Sequence, residues 1–322
     1  MDRQRLLEHK LLNGLQQITL LAVLAILLGY LAWLVGGESF MWGALIGVTV
    51  LYLVNPAASP RLLLGMYGAR RLSPREAPSL YGVLEALTVR AGLERSPRLY
   101  YLPSRMMNAF ATGRQGDAAI VLSDGLLRRL GQRELIGVLA HELAHVANGD
   151  IQVMAFADTL SRITGVLALI GQVLLVLSLP LLIMGLETPP LGALLVLLAA
   201  PTLSALAQLA LSRNREFEAD RSAAELSGDP AGLASALDKL ERYQGRFWEQ
   251  LMLPGRHLPD PSLLRTHPPM EQRIQRLLEL ITPGELSRRP LALPVEGQRE
   301  FLTLLARGVD RPPRWHMTGL WH

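Results

Sequence analysis

The chain has 322 residues, a formal net charge of +4 and 50% hydrophobic residues. This apolar fraction is high for a soluble protein of its length, so we expect part of the surface to face lipid. The chain has no cysteine, which excludes disulfides and cysteine-based zinc binding or nucleophilic catalysis. Its basic residues are scattered without interleaved aromatic residues, so we expect no nucleic acid among its partners.

The first 58 residues predict a transmembrane hairpin. Residues 15–35 carry no charged side chain, and about twenty such residues are enough to cross a hydrocarbon core. A Gly36-Gly37-Glu38-Ser39 turn, without Lys or Arg, leads into a second and shorter apolar run at 40–54. A cleaved signal peptide is the alternative. The length of the first run and the second run directly after it favour the hairpin.

Basic residues flank this hairpin on both sides. Arg3, Arg5 and Lys10 precede it, and Arg61 and Arg70 follow it. Because Lys and Arg collect in the loops on the cytoplasmic side of a membrane, we expect both ends of the hairpin there. The region that starts at residue 59 is then cytoplasmic.

The next region combines helices with short strands. Residues 79–91 predict a helix with Leu80, Val83, Leu84 and Leu87 on one stripe, and 98–102 and 118–122 predict strands. Residues 106–113 between the strands are apolar and extended. They are interpreted either as an ordinary hairpin strand filled by Phe110 or as an edge strand that pairs with a substrate backbone.

Residues 135–147 predict a buried helix that contains His141-Glu142-Leu143-Ala144-His145, the pattern HExxH. Because residues four apart lie one above the other on a helix, His141 and His145 can bind one metal ion. Two imidazoles with a third protein ligand suit Zn²⁺ and leave a position for water. Glu142 is then the general base that takes the proton of that water. A chance match, or a His-Glu-His face without metal, is the alternative.

A second apolar hairpin follows the HExxH helix. Residues 163–186 and 191–211 are uncharged, and the loop between them has no Lys or Arg, so we expect that loop outside the cytoplasm. A buried helix pair in a soluble enzyme is the alternative. Five polar residues in these runs are expected to face other helices rather than lipid; they are Gln172, Ser178, Thr202, Ser204 and Gln208.

Charged residues return at position 213, where the second hairpin ends. Glu216 and Asp220 are four residues apart and share one face of the predicted helix. We predict that Glu216 is the third zinc ligand and that Asp220 accepts the other ring N–H of a ligating histidine, His141 in the first instance. The alternatives are Glu218 or Asp220 as the ligand, or a solvated helix end that carries salt bridges.

Taken together, these motifs resemble the HtpX-type membrane zinc metalloproteases, a gluzincin family that also contains the CaaX prenyl protease. The resemblance rests on HELAHVANGD at 141–150, REFEAD at 215–220, NAFATG at 108–113 and THPP at 266–269 with Arg273-Ile274. It implies one Zn²⁺ per chain on His141, His145 and Glu216, with Glu142 as the catalytic base. It also implies an inner-membrane endopeptidase that degrades misfolded membrane proteins under stress.

The predicted fold class is an α-helical membrane protein with a mainly α (α+β) zinc metalloprotease domain, of the gluzincin type that the resemblance implies. The predicted division has five parts: a transmembrane hairpin at 1–58, the first catalytic part at 59–160, a second hairpin at 161–211, the second catalytic part at 212–282, and a tail of unassigned role at 283–322. We expect a multi-pass protein of the bacterial inner membrane with a cytoplasmic catalytic domain.

His267 lies in a loop bounded by prolines. It is interpreted either as a donor to the oxyanion that develops at the scissile bond or as a surface histidine. The expected partners are polypeptide substrates, membrane proteins in the first place, and the lipid bilayer. Two rival functions are a catalytically silent zinc-binding scaffold or transporter, and a peptidase restricted to prenylated C-terminal motifs.

Overall fold

The structure is a computed structural model that describes residues 3–54, 64–65, 67–184, 191–252, 269–281 and 290–291. In chain order its elements are α1 (Arg3–Val54), β1 (Arg70–Arg71), α2 (Pro78–Ala91), β2 (Arg98–Leu102), β3 (Ala109–Thr112), β4 (Ala119–Ser123), α3 (Asp124–Arg129), α4 (Gln132–Asn148), α5 (Asp150–Ile183), α6 (Leu191–Ser227), α7 (Pro230–Met252) and α8 (Met270–Glu279).

The chain divides into two compact units, and each is formed by two separate stretches of sequence. The hairpin unit comprises Met1–Ala57 and Gln152–Asn214, and the sheet unit comprises Ala58–Ile151 and Arg215–His322. The predicted five-part division stays a prediction. Of its parts, the tail at 283–322 lies outside the described residues apart from positions 290–291.

The first hairpin is formed by α1, which is broken in its middle. Gly36 and Gly37 have non-helical backbone angles, and Gly37 takes a positive φ of 73°, which costs glycine little because it has no Cβ. Beyond the break the chain reverses, since a Cβ built on Gly29 would lie 3.5 Å from the side chain of Leu45. A straight helix would hold these residues about 24 Å apart. The predicted chain reversal at Gly36-Gly37 is therefore confirmed.

The second hairpin is formed by α5 and α6, which contact each other through polar side chains. Gln172 donates to the Leu197 carbonyl at 3.2 Å, and Ser204 donates to Ser161 at 3.0 Å. These contacts and one from Gln208 to Asp158 agree with the prediction that polar residues here face other helices. The prediction is wrong for Thr202, which lies on the exposed side of α6. The side chain of Ser178 is not among those that the structure describes.

Three helical stretches are long and apolar enough to cross a membrane among the residues that the structure describes. They are Ile18–Val50, Asp150–Leu177 and Leu195–Ser227, and the first contains the break in α1. Large apolar side chains project outwards from them, including Ile26 at 70% and Leu177 at 69% exposure. Such exposure is expected where the surrounding solvent is lipid. The count of four crossings remains a prediction.

The sheet unit contains a four-stranded sheet in the order β1-β2-β4-β3. β2 and β4 pair in parallel with Arg98 opposite Ala119, whereas β1 on β2 and β3 on β4 are antiparallel. The strands predicted at 98–102 and 118–122 are confirmed, the second displaced by one residue. Leu99, Ile120 and Leu122 belong to the main core, together with residues of α2 and α4.

α4 lies in this core and packs closely on α7. A Cβ built on Gly137 would come within 2.9 Å of the Leu233 backbone, so the two helices approach closely only because position 137 has no side chain. α7 begins at Pro230, directly after Asp229. The Asp229 carboxylate accepts the Gly232 backbone N–H at 3.0 Å and a bidentate pair from Arg133 of α4.

Candidate active site

The HExxH sequence lies on α4, which is buried along almost its whole length. Its first turn is held by Glu134, which accepts the Gly131 backbone N–H at 2.6 Å and a salt bridge from Lys239. It ends at Gly149, whose φ of 71° is left-handed, a conformation that favours glycine. The contacts of Glu134 and the left-handed Gly149 thus fix the two ends of α4. The directions of the side chains between these ends are fixed with them.

His141 and His145 face each other from successive turns of α4. Their Nε2 atoms are 3.1 Å apart, and the ring planes are nearly perpendicular at 86°. Both side chains are largely buried, with exposures of 10% and 16%. The spacing of four residues therefore brings the two imidazoles together as predicted.

Glu216, on α6, brings a carboxylate to the same place. Its Oε2 lies 3.5 Å from Nε2 of His141, and its Oε1 lies 3.9 Å from Nε2 of His145. The three residues can each offer a ligand atom within 4.8 Å of one another. Zinc bonds of about 2.0–2.1 Å in a tetrahedron separate the ligand atoms by roughly 3.3 Å. The spacing and the donor types fit a Zn²⁺ ion.

The outward ring nitrogens of the two histidines contact carboxylates. Nδ1 of His141 lies 3.1 Å from Oδ1 of Asp220, and Nδ1 of His145 lies 2.8 Å from Oδ2 of Asp150. The contact of His145 is a hydrogen bond, in which Nδ1 is the donor to the carboxylate, whereas the contact of His141 is an ion-pair distance. The two Nε2 atoms face each other across 3.1 Å, a separation that a proton or a metal ion between them stabilises.

In the metal-free protein the surroundings of His141 favour its protonated imidazole. Burial lowers its pKa, but contacts with Asp220 and Glu216 outweigh burial and raise the pKa to about 10. A bound metal ion has to displace this proton, because only the neutral ring can be a ligand.

Arg273, on α8, connects two of these carboxylates. Its Nε and Nη2 donate to Asp220 at 2.7 Å, its Nη1 lies 3.0 Å from Oε2 of Glu216, and Nη2 lies 3.4 Å from Nε2 of His141. The side chain is only 3% exposed. Burial lowers the pKa of Arg273, but the charges of Asp220, Glu216 and Glu142 raise it above its usual value. The guanidinium is therefore a permanent charge within the site.

All the predicted site residues except His267 lie within the described residues. Glu142 is 8% exposed and close enough to Arg273 to raise its pKa, so it belongs to the same charged cluster. Asp220 lies on the Nδ1 side of His141, away from the paired Nε2 atoms, where the sequence prediction placed it. Glu218 is not part of the three-residue group. His267 lies outside the described residues.

Three residues of the cluster were missed from the sequence as functional candidates, namely Asp150, Arg215 and Arg273. Asp150 follows His145 by five residues across a helix break, a spacing that no helical period predicts. Arg215 stands beside Glu216 but reads as an ordinary helix-end charge. Arg273 entered only as part of the family motif, and 53 residues separate it from Asp220.

The segment 106–113 ends as the strand β3, which lies at the edge of the sheet next to α4. Within the described sheet β3 pairs only with β4. Phe110 packs against Tyr67 with ring centroids 5.3 Å apart. The interpretation as a packed hairpin strand is therefore confirmed, whereas pairing of its free edge with a substrate backbone stays a prediction.

The sequence model of peptidase family M48 matches residues 74–281, a range that contains all the residues of this cluster. The chain belongs to peptidase family M48. Among relatives, a "Protease HtpX homolog" of Acaryochloris marina (strain MBIC 11017) is 40% identical over 87% of this chain and 98% of its own length. A protein of the same name from Aquifex aeolicus (strain VF5) is 38% identical over 77% of this chain and 86% of its own length.

A similar solved structure is titled "Crystal Structure of S. mikatae Ste24p", with 17% identity, a TM-score of 0.44, and coverage of 85% of this chain and 66% of that one. The M48 match and the named relatives confirm the resemblance to HtpX-type proteases that the motifs predicted. With its apolar helices, this M48 chain is a membrane protein and a peptidase.

Proposed function

We propose that the protein is a zinc-dependent endopeptidase that holds one Zn²⁺ on His141, His145 and Glu216. The observation that carries the proposal is the convergence of three ligand atoms within 4.8 Å, with each imidazole backed by a carboxylate. Carboxylates that hold the second ring nitrogen are usual partners of zinc-binding histidines. The carboxylates of this cluster, those of Glu142, Asp150, Glu216 and Asp220, also outnumber the guanidinium groups of Arg215 and Arg273 by two, so the cluster has negative charge to balance a divalent cation.

Glu142 is the general base and acid of the proposed reaction. Zinc, when bound, supplies Lewis-acid polarisation of water and of the scissile carbonyl. Glu142 follows His141 on the same helix and is buried. It accepts a proton as water attacks the carbonyl carbon, and it returns a proton to the nitrogen of the leaving amine as the C–N bond breaks. His267 is the proposed donor to the oxyanion.

The edge of β3 is the proposed docking site for the substrate backbone. An extended peptide that adds a strand to a sheet edge binds mainly through main-chain hydrogen bonds, so many sequences are accepted. Such tolerance suits an enzyme whose substrates are misfolded or damaged polypeptides. We propose that these are membrane proteins, degraded in quality control and in the stress response.

The proposed location is the bacterial inner membrane, with the sheet unit in the cytoplasm. The support is the charge pattern of the sequence, in which Arg3, Arg5 and Lys10 precede the first hairpin while both hairpin turns lack Lys and Arg. Such asymmetry orients multi-pass proteins with the basic loops inside.

The first test compares the wild type with Glu142→Gln in the purified full-length protein. Because the substitution removes the base and leaves all three ligands, we expect one zinc per chain in both proteins and a loss of casein proteolysis of about 10²-fold or more in the variant. The control is Glu225→Gln, which changes an exposed carboxylate on α6 and should leave the rate unchanged. Full proteolysis by Glu142→Gln would refute the assigned mechanism.

The same preparations test the third ligand. Glu216→Ala is expected to lose the metal, whereas Glu218→Ala, two positions further along α6, is expected to keep it. Zinc content is read by mass spectrometry of the metal. Chelator-sensitive proteolysis that zinc restores separates the peptidase from a silent scaffold or transporter. Cleavage of a prenylated peptide but not of an unfolded membrane protein would favour the prenyl-specific rival.

A further inference from the structure

Asp150 is a buried carboxylate with both oxygens in use. It is 1% exposed, its Oδ2 lies 2.8 Å from Nδ1 of His145, and its Oδ1 accepts from Nη1 of Arg215 at 2.8 Å. It directly follows Gly149, the C-terminal cap of α4, and it is the first residue of α5. The positive end of a helix dipole favours a carboxylate at this position. His145, Arg215 and the N-terminus of α5 therefore all stabilise the carboxylate of Asp150, and His145 is a proposed metal ligand.

Arg215 is the counter-ion that makes this burial possible. Its side chain is 16% exposed, and a buried carboxylate without a cationic partner is destabilising by several kcal/mol as an order of magnitude. Arg215 also precedes Glu216 in α6. One ion pair therefore holds His145 through Asp150 and fixes the turn of α6 that presents Glu216.

The other side of the site repeats the arrangement with different residues. His141 contacts Asp220, and Asp220 accepts two hydrogen bonds from Arg273. Each proposed histidine ligand is thus backed by an aspartate, and each aspartate by an arginine. The four backing residues come from three helices, and each aspartate is paired with an arginine of a different helix, so the repetition is not a consequence of local helical spacing.

We propose that Asp150 and Arg215 are positioning residues of the metal site. Asp150 fixes the tautomer and the orientation of His145 so that Nε2 faces the metal, and Arg215 holds the Asp150 carboxylate in place through their ion pair. This inference rests on the zinc binding proposed above. Carboxylates that back a zinc-binding histidine typically contribute 10- to 100-fold to metal affinity.

The test measures zinc affinity by chelator competition in the full-length protein, with Asp150→Asn, Arg215→Gln and Arg215→Lys. We expect zinc affinity to fall about 10- to 100-fold in Asp150→Asn and Arg215→Gln, and less in Arg215→Lys, which retains the charge. The visible spectrum of the Co²⁺-loaded protein should change in Asp150→Asn, because the His145 ring is no longer held. We expect kcat to fall and KM to stay near the wild-type value, since the substrate groove is unaltered.

Asp238→Asn is the matched control. Asp238 pairs with Arg242 on the exposed face of α7, so its loss should leave zinc affinity, the Co²⁺ spectrum and kcat unchanged. Wild-type zinc affinity and an unchanged Co²⁺ spectrum in Asp150→Asn would overturn the inference. If Asp150→Asn does not fold, equal zinc affinities for Arg215→Gln and wild type would overturn it. A wild type that binds no zinc would instead refute the proposed function.

Discussion

At the scale of single residues, Arg273 is the group on which the charge balance of the site depends. It lies against two carboxylates, those of Asp220 and Glu216, in an environment that excludes water. Burial removes the hydration of both carboxylates, and without a cation they would also repel each other. The guanidinium therefore stabilises the fold as well as the orientation of a proposed ligand.

Arg273→Met keeps most of the side-chain volume and removes this charge. We expect the zinc-free protein to lose about 3–5 kcal/mol of unfolding free energy, the usual cost of breaking a buried ion pair from one side. Arg276→Met is the control on the same helix. It removes a cation–π contact with Phe217 at 3.8 Å, worth about 0.5–1 kcal/mol at an exposed position.

Chemical unfolding in detergent micelles, followed by circular dichroism with zinc chelated, measures both changes. If Arg273→Met were no less stable than Arg276→Met, Arg273 would not be the group that compensates the buried carboxylates.

At the scale of elements, the position of the site depends on how closely α4 packs on α7. The Cα and N atoms of Leu233 would lie 2.9 Å from a Cβ at position 137, which is shorter than ordinary contact. The opposite case occurs on α2, where a Cβ on Gly82 would meet nothing within 4 Å. Replacing glycine by alanine is therefore expected to change the unfolding free energy in opposite directions at the two positions.

Gly137→Ala is expected to lower the unfolding free energy by about 1–3 kcal/mol, because the added methyl group forces α4 and α7 apart. Gly82→Ala is expected to raise it by about 0.5–1 kcal/mol, because alanine loses less backbone entropy in a helix interior. Thermal unfolding of the two variants beside the wild type measures both effects. Destabilisation by Gly82→Ala, or stabilisation by Gly137→Ala, would contradict this account of the packing.

At the scale of the whole molecule, each compact unit is formed by two stretches of sequence. The chain leaves the sheet unit after Ile151 and returns to it at Arg215. The apolar helices that it forms in between account for two of the three candidate spans. Asp150 and Arg215 lie in the sheet unit, close to the two ends of the stretch Gln152–Asn214, and they form an ion pair with each other. The two points at which the chain leaves and re-enters the sheet unit are therefore held together.

The membrane orientation can be tested with single cysteines, because the wild type has none. We introduce Glu38→Cys in the first hairpin turn, Thr188→Cys between the apolar runs of the second hairpin, and Arg95→Cys after α2. A membrane-impermeant maleimide is expected to label the first two in intact spheroplasts and the third only after lysis, since both hairpin turns lack Lys and Arg. Labelling of Arg95→Cys before lysis would contradict a cytoplasmic sheet unit.

Local patterns carried most of the prediction. The strands at 98–102 and 118–122 and the helix over 79–91 agree with the structure. Alternation, helical periodicity and capping act over a few residues, so they can be read from the sequence. Thr202 shows the limit of such patterns. The neighbouring sequence does not indicate which side of an apolar helix packs against another helix, and Thr202 lies on the exposed side.

The sequence by itself determined the pair of histidines in the site. Residues four apart lie on the same face of any helix, so His141 and His145 are neighbours whatever packs around them. The carboxylates of Glu216 and Asp220 were predicted from their own spacing and from the chemistry that the histidines require. Only the tertiary structure decided that Asp150, Arg215 and Arg273 join them. These contacts cross a helix break or join positions 53 to 65 residues apart, and such contacts depend on how packed helices meet and not on any repeat in the chain.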